Sequence, residues 1–359
     1  MVATIRALGW IALVVVLVVG HGHDPEPLGR AALAQEQGQV PGGALGTASD
    51  PDFWRAIRRG EGFSTSLPND QGGVLIQSEG DNWRAFRNGP LSTYGAWALL
   101  GIVALLAVFF LIRGRIRIEH GWSGRTITRF NFVDRFAHWL TATCFVVLAL
   151  TGLNMLYGRY VLRPLIGPEL FSMLMLGGKY AHHFLAFGFM LGLVLMIVLW
   201  IWHNFPNRYD FVWLAKGGGM FTKGTHPPAK KFNAGQKLVF WLVVLGGISV
   251  SVSGLMLMFP LAYEAFGPTF GWINRIFGTE YPTALAPIQE MQLAQLWHAI
   301  MGLFLTVVII AHIYIGTIGM EGAFDAMGSG EVDENWAREH HSIWVQELER
   351  RGVRAGGDD

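Results

Sequence analysis

Residues 296–314 read LWHAIMGLFLTVVIIAHIY, nineteen positions without an Asp, Glu, Lys or Arg, yet with a histidine near each end, His298 and His312. As a helix this stretch is about 28 Å long, close to the ~30 Å hydrocarbon layer of a bilayer. Fourteen residues separate the two rings by about 21 Å along the axis and return them to within about 40° of one face. They therefore serve two sites at two depths. An imidazole in hydrocarbon is costly unless it is paired or coordinated, so its presence points to function before packing.

Working outward, the whole chain has the same character. It has 359 residues, 52% of them hydrophobic and 15% charged, which is too apolar for an ordinary soluble domain. Five apolar blocks free of Asp, Glu, Lys and Arg run over about 95–112, 137–157, 181–202, 238–260 and 297–319. Each is long enough to cross a membrane as a helix. The loop 113–136 carries six Arg, and 203–237 carries Arg208 and five Lys, whereas 261–296 has only Arg275. The positive-inside rule assigns the two basic loops to the cytoplasm. The C-terminal segment 321–359 falls on the same side and has an amphipathic helical pattern. A net charge of +1, with no basic run interleaved with aromatics, excludes a nucleic-acid surface.

The neighbouring spans supply partners for the two histidines. DRFAHW places His138 at the cytoplasmic start of its helix, and KYAHHF places His182 and His183 at the exoplasmic start of the next. With adjacent helices antiparallel, His312 is level with His138, and His298 with His182 or His183. Only one of that last pair can face a shared site, because consecutive residues point about 100° apart. Four imidazoles at two depths suit two b-type hemes, each with two histidine ligands. The single cysteine, Cys144, excludes an iron-sulfur cluster, a thiolate zinc site and Cys-x-x-Cys-His heme attachment. One turn beyond the candidate ligands stand Ala142, Ala186, Gly302 and Gly316, all small enough for a flat porphyrin to lie against the helix. Small residues also let helices pack closely in lipid. His203 reads as an interfacial residue, and His120, His226, His340 and His341 as solvated positions in loops or the tail.

Residues 1–34 combine Arg6, an apolar run to Gly20 and the Ala32-Leu33-Ala34 triplet, the pattern of a signal peptide or an N-terminal anchor. Residues 35–92 are rich in Gly, Pro, Asp, Asn and Arg and read as an exported, periplasmic arm with little core of its own. Residues 93–114 form an additional transmembrane helix. FNAGQK at 232–237 opens a span from the cytoplasmic face. Asn233 and Gln236 have the spacing of a capping box. Together with Gly235 they also offer polar contacts beside an apolar slot level with His312, which suits a quinone.

RFNFVDRFAHW (129–139), FNAGQKLVFW (232–241), WHAIMG (297–302) and HIYIGTIGMEGAFDAMGSGEVDENWAREHHSIW (312–344) together resemble the gamma subunit, a cytochrome b, of respiratory quinone-linked formate dehydrogenase. The resemblance runs from about Ile118 to Leu348. It implies an all-α membrane protein whose four-helix diheme domain occupies 115–320, with 321–359 as a cytoplasmic tail. It implies His138 and His312 as one axial pair and His182 and His298 as the other, choosing His182 over His183 and setting His203 aside. Asn233, Gly235 and Gln236 are implied at a menaquinone or ubiquinone site. The implied partners are an iron-sulfur beta subunit and a molybdopterin alpha subunit, holding Mo or W, which carries the formate site; heterotrimers of this kind can assemble further. The location implied is the bacterial inner membrane. A diheme subunit of a hydrogenase or thiosulfate reductase is the nearest alternative. A heme-free transporter or scaffold is a second, although no span carries the acidic or basic residue a transporter would show.

Overall fold

A computed structural model describes residues 80–353, together with Arg55, Arg58 and Arg59. The signal or anchor expected at 1–34 and most of the arm at 35–92 lie outside the described residues. The part of that arm which is described, from residue 80, is helical instead of loop-like. Helix α1 (Gly80–Phe86) runs through a π-turn at Arg87–Leu91 into α2 (Ser92–Arg113). Pro90 sits inside the π-turn, where a residue without an N–H disturbs the regular hydrogen-bond ladder least.

Among the described residues, five helical stretches are long and apolar enough to cross a membrane: Gly80–Arg113, Phe132–Val161, Arg163–His203, Ala234–Met258 and Pro287–Gly319. The last four contain α3 (Phe132–Val161), α4 (Arg163–Trp200), α6 (Ala234–Met258) and α8 (Pro287–Tyr314). Local chemistry fixes where they begin. Asn131 accepts from Asp134 N at 2.9 Å while Asp134 accepts from Asn131 N at 3.2 Å, closing a capping box at α3. Asn233 and Gln236 do the same at α6, at 2.9 and 3.1 Å. Gly167, at φ +80°, breaks the start of α4 just before Pro168.

α3 packs along α4, and α6 along α8; α2 leans on α8. That last contact turns on Gly95, where a Cβ would lie 2.6 Å from Leu303 Cδ1 and 2.8 Å from the Tyr157 hydroxyl. The Tyr157 hydroxyl then donates to Ser92 O at 2.9 Å, tying α2 to α3. A short helix α5 (Arg208–Ala215) joins α4 to α6 and is pinned by a buried ion pair, Lys237 Nζ to Asp210 Oδ2 at 2.8 Å. Amphipathic α7 (Phe266–Phe277) covers the opposite end, and its first turn is capped by buried Glu290, which accepts from the amides of Ala265, Phe266 and Gly267.

The C-terminal segment departs from the solvated tail expected of it. Helix α9 (Asp325–Gly328) leads to strand β2 (Glu331–Asp333), which pairs antiparallel with β1 (Thr126–Thr128). Two short helices follow, α10 (Glu334–His340) and α11 (Ser342–Arg350), in place of one amphipathic helix. Val332, Trp336, Trp344 and Val345 bury their side chains against Ile118, Ile127 and Phe130, forming a cap over the end where α3 and α6 begin. His341 is fully buried and donates from Nδ1 to Lys230 O at 2.7 Å. His340 packs its ring 5.4 Å from Trp336. The expectation that these two are solvated is therefore wrong, because the apolar face of the tail is spent on the chain's own loops. His120 does remain exposed, bonded to buried Glu339 at 2.8 Å.

Burial is the main reason His340 is held down at about 4, and with Arg129 nearby it also holds His341 well below the usual histidine value. His226 and Arg129 lower His340 further, while Glu339 and Glu119 oppose them. Between pH about 6.5 and 4 the unfolded cap binds protons that the folded cap does not, so its stability falls as pH is lowered through that window and is level above it. Tryptophan emission and proteolysis of residues 321–353, followed against pH, check this; His340→Gln should flatten part of the loss.

Candidate functional site

The four expected histidines meet in two pairs inside the helical bundle. The His138 ring of α3 lies 6.2 Å, centre to centre, from the His312 ring of α8. The His182 ring of α4 lies 6.1 Å from the His298 ring of the same α8. Two imidazoles on one metal are held by bonds of about 2.0 Å each, and with the ring centre about 1.1 Å behind each nitrogen the centres fall about 6.2 Å apart. Both pairs thus stand at the separation that a single shared iron requires. His182 is the ring that faces His298, and His203 ends a 3₁₀ turn on the exposed surface near Phe232.

The groups behind two of these rings are ones that the sequence reading missed. Thr151 Oγ1 directs its proton to Val147 O at 2.8 Å and lies 2.8 Å from His182 Nδ1. With its own proton committed, the hydroxyl accepts from Nδ1–H, which leaves the lone pair on Nε2. His298 Nδ1 is 3.0 Å from Val250 O, which can only accept, and 3.2 Å from Ser253 Oγ. It adopts the same tautomer. Both rings lie against a glycine: a Cβ on Gly254 would crowd His298 Cε1 at 3.1 Å, while one on Gly152 would only touch His182 Cε1 at 3.5 Å. The sequence did carry a signal for this, a hydroxyl-Gly-Leu triplet at Thr151-Gly152-Leu153 and again at Ser253-Gly254-Leu255. At the other station His138 Nδ1 is buried without a protein partner.

The space beside the rings also suits a flat ligand. A Cβ on Gly302 or Gly316 would meet nothing within 4 Å. Ala142 and Ala186 are half-buried on the facing helices. The donor set is four neutral-type nitrogen ligands in two pairs, and among the described residues no group of three or more His, Cys, Asp or Glu gathers to hold a bare metal ion. This chemistry fits heme and does not fit a structural zinc site.

Near the His138–His312 end, Asn233 and Gln236 spend their side-chain oxygens on capping. Gln236 Oε1 additionally accepts from Arg129 Nη2 at 3.3 Å. Arg129 is buried over Phe130, Trp336 and Trp344, at 5.2–5.5 Å from their ring centres, and burial lowers it to about 9 without discharging it at neutral pH. The amide NH₂ groups of Asn233 and Gln236 are the donors left over. Beside Gly235 stands the Trp213 indole, 2.8 Å from where a Cβ would be, so only glycine fits there.

Residues 129–330 match the family described as Prokaryotic cytochrome b561. The chain is 26% identical over 230 residues to the nitrate-inducible formate dehydrogenase cytochrome b556(Fdn) subunit of Escherichia coli K12, covering 63% of this chain and 93% of that one. It is 28% identical over 227 residues to the formate dehydrogenase cytochrome b556(fdo) subunit of the same organism, covering 63% and 94%. The formate dehydrogenase cytochrome b556 subunit of Haemophilus influenzae is 25% identical over 226 residues, covering 62% and 83%. The family match begins at residue 129.

Open space and close contact predict different outcomes. Gly302→Leu and Gly316→Leu should leave the helicity and thermal unfolding of the cofactor-free chain within about 0.5 kcal/mol of the parent, while heme retained per chain, read from absorbance, falls. Gly254→Leu meets the His298 ring and should destabilise the fold as well, by about 1–3 kcal/mol.

Proposed function

This chain belongs to the prokaryotic cytochrome b561 family, and we propose that it is the membrane electron-transfer subunit of a formate dehydrogenase, carrying electrons from an exported iron-sulfur subunit to the quinone pool. The observation that carries this reading is the pair of ring separations, 6.2 and 6.1 Å, at two depths of one bundle. The names of the relatives, cytochrome subunits of formate dehydrogenases, supply formate as the fuel; the partners in this reading are an iron-sulfur protein and a molybdopterin enzyme holding Mo or W, where formate is oxidised.

In this reading His182 and His298 hold one heme b, and His138 and His312 hold the other. Bound heme supplies one-electron redox chemistry at each depth, so that charge can cross the bilayer without a bond being made or broken on the protein. The chain's own residues hold, orient and insulate. Helices α3, α4, α6 and α8 keep the ligands at fixed depths and exclude water from between them. Quinone binds at the end bearing the arginine- and lysine-rich loops, where the Asn233 and Gln236 amides donate to a carbonyl oxygen and the Trp213 ring walls the space beside Gly235. Arg129 fixes the Gln236 amide by occupying its oxygen. A quinone reduced there takes up protons on that side, and the positive-inside rule makes that side the cytoplasm. Formate oxidation outside and quinone reduction inside then build a membrane potential. The domain occupies 115–320 in the inner membrane; 321–359 is cytoplasmic, and α2 together with the preceding arm docks the exported partners.

A pyridine hemochromogen assay on the purified complex tests the core of the proposal, with two protoheme equivalents per chain expected. His138→Ala or His312→Ala should remove one and the same heme, and His182→Ala or His298→Ala the other. No heme in the assembled complex, or a single heme lost to both His138→Ala and His298→Ala with the second spared, overturns it.

A further inference from the structure

The two ligand pairs differ in what stands behind them. Each ring of the His182–His298 pair donates Nδ1–H to an oxygen on an adjacent helix: Thr151 Oγ1 of α3 at 2.8 Å, and the Val250 carbonyl of α6 at 3.0 Å with Ser253 Oγ at 3.2 Å. Behind the other pair, His138 Nδ1 is buried and meets no protein acceptor. A hydrogen bond from the distal N–H of a ligating imidazole pushes electron density towards the ligating nitrogen, and a more electron-rich ligand favours the oxidised metal. Two such bonds at one station and an unpartnered Nδ1 at the other bias the two irons in opposite directions.

We infer that Thr151 and Ser253, with the Val250 carbonyl, are positioning residues that make the heme between His182 and His298 the lower-potential one of the two. The inference rests on the proposed diheme function and adds to it a direction. Electrons entering at the His182–His298 end would run downhill to the His138–His312 end, where the quinone donors lie, and the asymmetry would be built into helices α3 and α6 and not into the ligands. The two oxygens are recruited alike. Each hydroxyl precedes a glycine, each glycine lies under a ring, and each hydroxyl also makes a backbone bond one turn back along its own helix, Thr151 to Val147 O at 2.8 Å and Ser253 to Ser249 O at 3.2 Å. Those backbone bonds commit the hydroxyl proton and leave only oxygen lone pairs for the imidazole.

The test is a redox titration of the purified complex followed at the heme α-band, with the two components assigned through the single-heme variants His138→Ala and His298→Ala. Thr151→Val keeps the shape of the side chain and removes the acceptor. The lower-potential component should move to more positive potential, with the higher one unmoved, and the low-spin electron paramagnetic resonance signal of that heme should shift with it. Thr151→Ser should restore the parent value, which a packing role for the threonine methyl would not. Ser253→Ala, which leaves the Val250 carbonyl in place, should move the same component in the same direction by less. Assignment of the higher-potential component to His182–His298, or no movement of either component in both variants, overturns the inference while leaving the diheme function standing. A complex without heme defeats that function, and the inference with it.

Discussion

Everything in this fold answers to the cost of placing an imidazole in hydrocarbon. A polar ring at membrane depth must find a hydrogen-bond acceptor, a metal or water, and lipid supplies none of them. Four rings are arranged so that each faces another across about one metal's width, and two are backed by an oxygen borrowed from a neighbouring helix. That backing is possible only where the neighbour has no side chain in the way. Gly254 therefore does for the His298 ring what Gly95 does, more strictly, for the contact of α2 with Leu303. Close approach in this bundle is bought with glycine, as expected where lipid offers no hydrophobic drive for helices to associate.

The second constraint is the end of the bundle where α3 and α6 begin. Helix starts leave unsatisfied amides, and here they are answered by capping boxes at Asn131, Asn207 and Asn233. Trp200 Nε1 donates to Asp134, and Lys237 to Asp210, so the capping carboxylates also join one helix to another. The C-terminal segment closes over this region with β2, α10 and α11, burying Arg129 between aromatic rings and holding His341 against the 230 carbonyl. A buried guanidinium that keeps its charge and bonds Gln236 links the rigidity of the cap to the orientation of the amide beside the proposed quinone site.

The spans were legible because their signal is the absence of charge over some twenty residues, which needs no tertiary information. The pairing of depths was legible too, since helical rise and antiparallel order set His312 level with His138 and His298 level with His182 or His183, and the family resemblance chose His182. The cap was not. Its strand pairing joins residues 126–128 to 331–333, two hundred positions apart, through segments of three residues each, too short to show an alternation. Trp336 and Trp344 do stand eight residues apart, a spacing one helix face allows, but an amphipathic pattern says only that one face seeks cover and not that the chain itself supplies it. The helical form of residues 80–91 was not legible for a related reason: Gly, Asn and Pro within it are poor helix formers, yet the segment is continued into α2 by the apolar helix that follows. For the site, residue types marked the paired histidines, while the atoms behind them showed only as a repeated hydroxyl-Gly-Leu triplet, which has no meaning until another helix brings a ring to it.

The division of labour among helices follows from these contacts. α8 carries a histidine of each pair, and α3 and α4 carry one each. α6 carries none, yet it supplies Val250 and Ser253 behind His298 and opens with Asn233 and Gln236 at the other end. α3 likewise has two duties, holding His138 near its start and backing His182 from Thr151, thirteen residues on. Each of these helices thus reaches both depths. A rotation of α3 or α6 about its axis would disturb a ring at one depth and a ligand or amide at the other together, so the bundle must be stiff as a unit for either station to keep its geometry. The capping boxes at the start of both helices fix that rotation at the end farthest from Thr151 and Ser253.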